Sequence, residues 1–155
     1  MIEIIDYTGE YANDFRDLNL EWLDKYNLTE SHDLEVINHP KETILDKGGH
    51  IYLAREGDKI VGTAGIANEG DSIYELVKMT VAPAFRGMGI SRMLIEKCLD
   101  KAKELKAKKI FLYSNSQLQT AISLYKKYGF VHVDASNSPL VTADVKMELM
   151  LMSNE

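Results

Sequence analysis

Val81-Ala82-Pro83-Ala84-Phe85-Arg86-Gly87-Met88-Gly89-Ile90 joins a run that reads as a strand to a run that reads as a helix. A strand that turns abruptly into a helix leaves the first helical N–H groups without partners and aims the positive end of the helix dipole at the turn, an arrangement that attracts an anion such as a phosphate. Gly87 and Gly89 remove Cβ atoms where the backbone must approach a ligand or take up positive φ. Arg86 can add a charge-assisted contact or brace the loop. The same spacing also serves an ordinary strand-to-helix turn, so the loop alone does not choose between binding and turning. Two common phosphate loops are excluded: no Lys-Ser/Thr pair completes a Walker loop, and no third glycine completes a dinucleotide fingerprint. A dinucleotide loop also follows the first strand of its unit, whereas three or four strands precede this one.

On either side of this stretch the pattern reads as one continuous domain over residues 1–155, without repeats or low-complexity tracts. Ile2 and Ile4 alternate as in a strand. Phe15, Leu18, Trp22 and Leu23 fall at helical spacing within Tyr11 to Tyr26, and a short helix is expected over Ser31 to Asn38, stopped by His39-Pro40. His50 to Arg55 and Lys59 to Ala67 read as strands joined by the tight turn Glu56-Gly57-Asp58, and Ser72 to Val81 as a third strand. Beyond the loop, Met93, Leu94, Cys98, Leu99, Ala102 and Leu105 mark an amphipathic helix. A strand over Lys109 to Tyr113, a helix over Gln117 to Tyr128, and strands over Phe130 to Asp134 and Val145 to Leu151, the last closing the sheet, complete the chain. The expected class is α/β, or mixed α+β: a central, mostly antiparallel sheet of six to seven strands with helices on both faces.

Composition narrows the function. With 155 residues and 45% hydrophobic content the chain can bury a core without disulfides or structural metal. Its four histidines and single cysteine follow no metal-ligand spacing, so no metal is expected. A net charge of -6 argues against general nucleic-acid binding. No apolar run reaches the roughly 20 residues of a membrane span, and the N-terminus lacks secretory-signal features, so the expectation is a cytoplasmic protein with no membrane partner. The apolar tail Leu149 to Met152 leaves room for a homodimer edge.

The loop and its surroundings resemble the GNAT family of N-acetyltransferases, whose cofactor motif is Arg or Gln, two variable residues, Gly, one variable residue, then Gly or Ala. Read from Ala84 the chain supplies both glycines without the leading Arg or Gln; read from Arg86 it supplies Arg86 and Gly89 but ends at Ser91. Glu75-Leu76-Val77-Lys78-Met79-Thr80-Val81 is similar to the family's fourth strand. Ala121 to Phe130 is similar to its closing helix and turn, and the resemblance covers roughly Ile51 to Val133. It implies acetyl-CoA as cosubstrate between two splayed central strands, with its pyrophosphate on the N–H groups of Met88, Gly89, Ile90 and Ser91 and its pantetheine arm along the backbone of Met79 and Val81. Asn115 matches a family position that contacts the cofactor arm, or it caps the turn Ser114-Asn115-Ser116.

Acetylating an amine requires a neutral nitrogen held near the thioester, stabilisation of the developing oxyanion, and a proton for the departing thiolate. The resemblance assigns deprotonation of the amine to Glu75 and protonation of the thiolate to Tyr125, with the N–H of Met79 meeting the oxyanion. From the residues alone, Glu75 equally reads as an exposed carboxylate at a strand start and Tyr125 as a core aromatic. Cys98 shares the apolar stripe of its helix and reads as core. Trp22, Tyr26, His32, Asp33 and Glu35 lie where the family faces its acceptor, a small-molecule or peptide amine. Polyamine, aminoglycoside, amino acid and protein N-terminus stay open. A module that binds acyl-CoA as a sensor or assembly subunit without transferring the acyl group is the alternative.

Overall fold

In a computed structural model that describes residues 1–139 and 141–151, the chain begins with β1 (Ile2–Asp6), α1 (Ala12–Lys25), α2 (Ser31–Asn38) and the single-turn α3 (Pro40–Thr43). It continues through β2 (His50–Glu56), β3 (Lys59–Asn68), β4 (Ile73–Val81), α4 (Ile90–Glu104), β5 (Lys109–Ser114), α5 (Gln119–Lys127), β6 (Val131–Val133) and β7 (Val145–Met150). The strands form one seven-stranded sheet in the order β1-β2-β3-β4-β5-β7-β6. Its pairs are antiparallel apart from β4 with β5. Among the described residues no helix is long and apolar enough to cross a membrane.

Alternation along β2 shows how the layers are built. Ile51 and Leu53 point to one face and join Phe15 of α1 and Val36 and Ile37 of α2; Tyr52 and Ala54 point to the other and join α4. Helices therefore cover both faces, as period-two alternation in β2 requires. α4 buries Ile90, Leu94, Ile95, Cys98, Leu99 and Ala102. This stripe is rotated from the one expected: Met93 and Leu105 reach solvent, at 37% and 36% exposure, while Ile90 and Ile95 take the core positions. Gly62 explains how closely α4 approaches the sheet, because a methyl group there would sit 3.0 Å from Leu94 Cδ1 and 3.3 Å from Ile90 Cγ2. The first turn of α4 is thereby seated on β3, which fixes the loop that precedes it.

Three features depart from the sequence reading. Pro40 does not simply end α2; at N1 its fixed φ and missing N–H suit it to start α3. β7 does not close the sheet at its edge, because it is inserted between β5 and β6, leaving the three-residue β6 outermost. Leu149 and Met150 are accordingly paired to β5, opposite Ile110 and Lys109, while Met152 lies outside the described residues. Finally, β4 carries a bulge, which the alternation of its side chains does not disclose. Thr63 pairs with Thr80 but Gly65 with Val77, so β4 has one residue more than β3 across this interval. Lys78 sits there with φ +52, a left-handed conformation uncommon for a residue with a Cβ.

Candidate active site

The sheet opens where its one parallel pair ends. β4 and β5 pair only over Ile73, Tyr74 and Glu75 against Lys109, Ile110 and Phe111. Beyond Glu75 each strand keeps its outer neighbour, β4 staying on β3 and β5 on β7, and the two inner edges separate. The bulge strengthens local twist at this point. Two strands thus turn unpaired backbone groups toward each other across a cleft of about 730 Å³. Buried backbone groups require partners, so an open seam inside a sheet calls for water or for a ligand that brings hydrogen-bonding groups of its own.

The direction of these groups follows from their neighbours. Lys78 C=O accepts a hydrogen bond from Thr63 Oγ1 at 2.7 Å, on the β3 side. Across the trans peptide the N–H of Met79 points the opposite way, into the seam. Ala82 N–H donates to Val61 C=O at 2.8 Å, so Val81 C=O likewise turns from β3. Arg86 Nε reaches that carbonyl at 3.4 Å, which makes Arg86 a brace holding the loop to the end of β4.

At one end of the cleft stands the glycine loop. Gly87 and Gly89 have φ +79 and +81, and a Cβ on either would meet no atom within 4 Å. Conformation rather than crowding demands glycine here, and the open space is where an anion can approach. Gly89 is the N-cap of α4, whose first backbone bond runs from Met93 N–H to Gly89 C=O at 3.2 Å. The N–H groups from Gly87 to Arg92 donate to no described backbone carbonyl. Met88 is 58% exposed, Ile90 is anchored in the core, and Ser91 lines the cleft.

Glu75 occupies the last rung before the seam opens, largely buried rather than exposed at a strand start. Burial, with Glu69 nearby, pushes its carboxyl up to about 7, against the opposing pull of Lys78 and Lys146. At neutral pH a group so placed exchanges protons readily, as a general base must. Its stability cost has a definite sign. The folded-state value lies above the unfolded one of 4.5, so the stabilisation of the protonated form is present below 4.5 and lost as pH rises to about 7. Replacing Glu75 with glutamine removes this loss, and the variant is expected to exceed the parent by about 3 kcal/mol at pH 8, converging below pH 5. Thermal melts at the two pH values check this.

Tyr125 of α5 also lines the cleft, its ring packed at a tilt against Phe130 with centroids 5.9 Å apart. It is both core aromatic and cleft residue. Burial raises its hydroxyl to about 12, so it stays protonated through the neutral range and can donate. Cys98 is fully buried, with its thiol also raised to about 12, and plays no part in the cleft.

Asn115 sits at the rim with both polar ends engaged: its Oδ1 accepts Gln117 N–H at 3.0 Å and its Nδ2 donates to Thr142 C=O at 2.6 Å. Of the residues expected near the acceptor, Trp22, Tyr26 and Asp33 line the cleft. His32 and Glu35 point to solvent on α2. Sequence reasoning missed Lys78, paired with Asp33, and Tyr113, whose hydroxyl is raised by burial and then by the charge of Glu75. Tyr113 follows the strand pattern of β5 two residues beyond Phe111, which was a usable signal for its face.

Residues 13–130 match the Acetyltransferase (GNAT) family, and the chain belongs to it. Among particular relatives, it is 36% identical over 96 residues to the uncharacterized N-acetyltransferase YjgM of Escherichia coli (strain K12), covering 59% of this chain and 57% of that protein. It is 34% identical over 87 residues to the N-alpha-acetyltransferase RimI of Mycobacterium tuberculosis, covering 54% and 53% of the two. The chain thus spans little more than half the length of either. In fold it is similar to a GNAT-family acetyltransferase from Staphylococcus aureus Mu50, with a TM-score of 0.89, 23% identity, and 98% and 100% of the two chains covered. The PaiA N-acetyltransferase of Thermoplasma acidophilum, solved with coenzyme A, superposes with a TM-score of 0.77 at 19% identity over 97% of this chain and 99% of that one.

Proposed function

We propose that the chain transfers an acetyl group from acetyl-CoA to a small-molecule or peptide amine, directly, with both substrates bound together. The observation that carries this reading is the open seam between β4 and β5, which runs from the glycine loop to Glu75. The N–H groups of Met88 to Ser91 suit the pyrophosphate, and the inner edge of β4 at Met79 and Val81 suits the amide groups of the pantetheine arm. At the rim, the turn capped by Asn115 is the position for a further contact with that arm. PaiA, bound to coenzyme A on the same fold, supports the choice of cosubstrate. Relatives named as N-acetyltransferases support an amine acceptor.

The thioester supplies an activated acyl carbon. Glu75 removes a proton from the acceptor ammonium, directly or through water, leaving the nitrogen lone pair free to form the new C–N bond. Met79 N–H donates to the carbonyl oxygen as negative charge gathers there. Tyr125 gives its proton to the sulfur as the C–S bond breaks. The second nitrogen proton leaves as the tetrahedral centre collapses and restores the Tyr125 hydroxyl through solvent, while Glu75 releases the first to water, so that ammonium and thioester give amide, thiol and one proton.

The test is release of free CoA thiol on a panel of polyamine, aminoglycoside, amino acid and peptide. Turnover with any of them is the expected result, with kcat/KM rising as Glu75 ionises through about pH 7. Glu75→Gln should lose that limb and about 10²- to 10⁴-fold of activity. Acetyl-CoA binding without turnover on any amine would instead favour a sensor.

A further inference from the structure

Lys78 is held at both ends. Its ammonium pairs with Asp33 of α2 at 2.6 Å, where the two side chains are only 12% and 4% exposed. The other carboxylate oxygen of Asp33 accepts Glu30 N–H at 3.0 Å, so the anion is fixed to the start of α2. At its backbone, Lys78 accepts from Thr63 Oγ1, which in turn accepts from Asn19 Nδ2 at 3.3 Å. Asn19 is fully buried in α1 and also donates to Phe15 C=O at 2.8 Å. Buried polar groups from α1, α2 and β3 therefore converge on the one β4 residue whose φ is left-handed.

A left-handed lysine persists only where its surroundings over-determine it. If the bulge relaxed into regular pairing, the strand beyond it would slip by one residue and reverse the facing of every group there. The N–H of Met79 would then leave the seam.

We propose that Asp33 is a positioning residue for acyl transfer: by pairing with Lys78 it locks the β4 bulge and so keeps Met79 N–H aimed at the thioester carbonyl. The inference rests on the acyltransferase reading and extends it to a residue that acts through Lys78 rather than on the reacting atoms. The same helix start links the bulge to the far rim. Glu30 carboxylate accepts Val141 N–H at 3.1 Å and Thr142 N–H at 2.8 Å, so the segment closing the rim and the oxyanion donor share one anchor.

The experiment compares wild type, Asp33→Asn and Thr63→Val in the thiol-release assay, with calorimetric titration of acetyl-CoA on each. Thr63→Val removes the hydroxyl bond to Lys78 without altering charge, and it carries the test if Asp33→Asn fails to fold. Expected is a fall in kcat of about ten- to a hundred-fold in both variants, from misplacement of a reacting-site donor. Because Met79 and Val81 also face the pantetheine arm while the glycine loop that takes the pyrophosphate is untouched, acetyl-CoA affinity should fall by much less than kcat, a split that a general loss of structure does not produce. Unchanged kcat in a variant that merely melts earlier overturns the inference while leaving the acyltransferase reading intact. A wild type that binds acetyl-CoA yet acetylates none of the amines sinks that reading and this inference together.

Discussion

A Gly89→Glu variant is expected to bind acetyl-CoA about 10²- to 10⁴-fold more weakly than the wild type. Two costs combine. A residue with a Cβ lets the free loop relax away from φ +81, and binding must restore that conformation at about 1–2 kcal/mol of left-handed strain. A carboxylate a few ångströms from the pyrophosphate adds about 1–4 kcal/mol of repulsion between water-like and surface-like dielectric limits. No atom lies within 4 Å of the Cβ position, so steric conflict at the Cβ contributes nothing. Gly89→Ala should show the strain alone, and Gly89→Asn, neutral and tolerant of left-handed backbone, should bind nearly as well as the parent. Calorimetric titration of the three variants separates charge from conformation. Equal affinity in Gly89→Glu and Gly89→Ala would place the phosphates elsewhere.

Tyr125→Phe is expected to lower kcat by about 10²- to 10⁴-fold, the usual contribution of a positioned general acid. The substitution is selective because the ring, packed at a tilt against Phe130 and in the same core cluster as Ile122, keeps its place when only the oxygen is lost. KM for acetyl-CoA and the melting temperature should change little. The hydroxyl, raised to about 12 by burial, remains protonated across ordinary assay conditions, so no loss of activity from its ionisation is expected below about pH 10. An unchanged kcat would leave Tyr125 as a core aromatic that borders the cleft, and steady-state rates with a good acceptor decide the matter.

The parts of this site that depend on local sequence were legible. Two glycines flanking a methionine mark a backbone that turns left-handed, and both do so, at φ +79 and +81. The helix over Ser31–Asn38 and the turn at Gly57 carry their own start and stop signals and occur where read. What escaped depends on residues far apart in the chain. The bulge at Lys78 adds one residue to a strand whose apolar alternation continues on either side, so only the register against β3 exposes it. The Lys78–Asp33 pair joins residues 45 apart, and Glu30 with Thr142 residues 112 apart. Insertion of β7 between β5 and β6 is a choice of neighbour, which side-chain periodicity does not encode. Asn115 was readable both as a cap and as a ligand contact; its bonds to Gln117 and Thr142 make the cap, and the contact to the cofactor arm stays part of the proposal.

The seam between β4 and β5 is the centre of the account, and calorimetric titration of the wild-type protein with acetyl-CoA tests it most directly. Saturable one-to-one binding, weakened by Gly89→Glu and retained by Gly89→Asn, is the expected result. Absence of binding by the wild type would contradict the assignment of the seam and the glycine loop to the cosubstrate, and with it the proposed acetyl transfer.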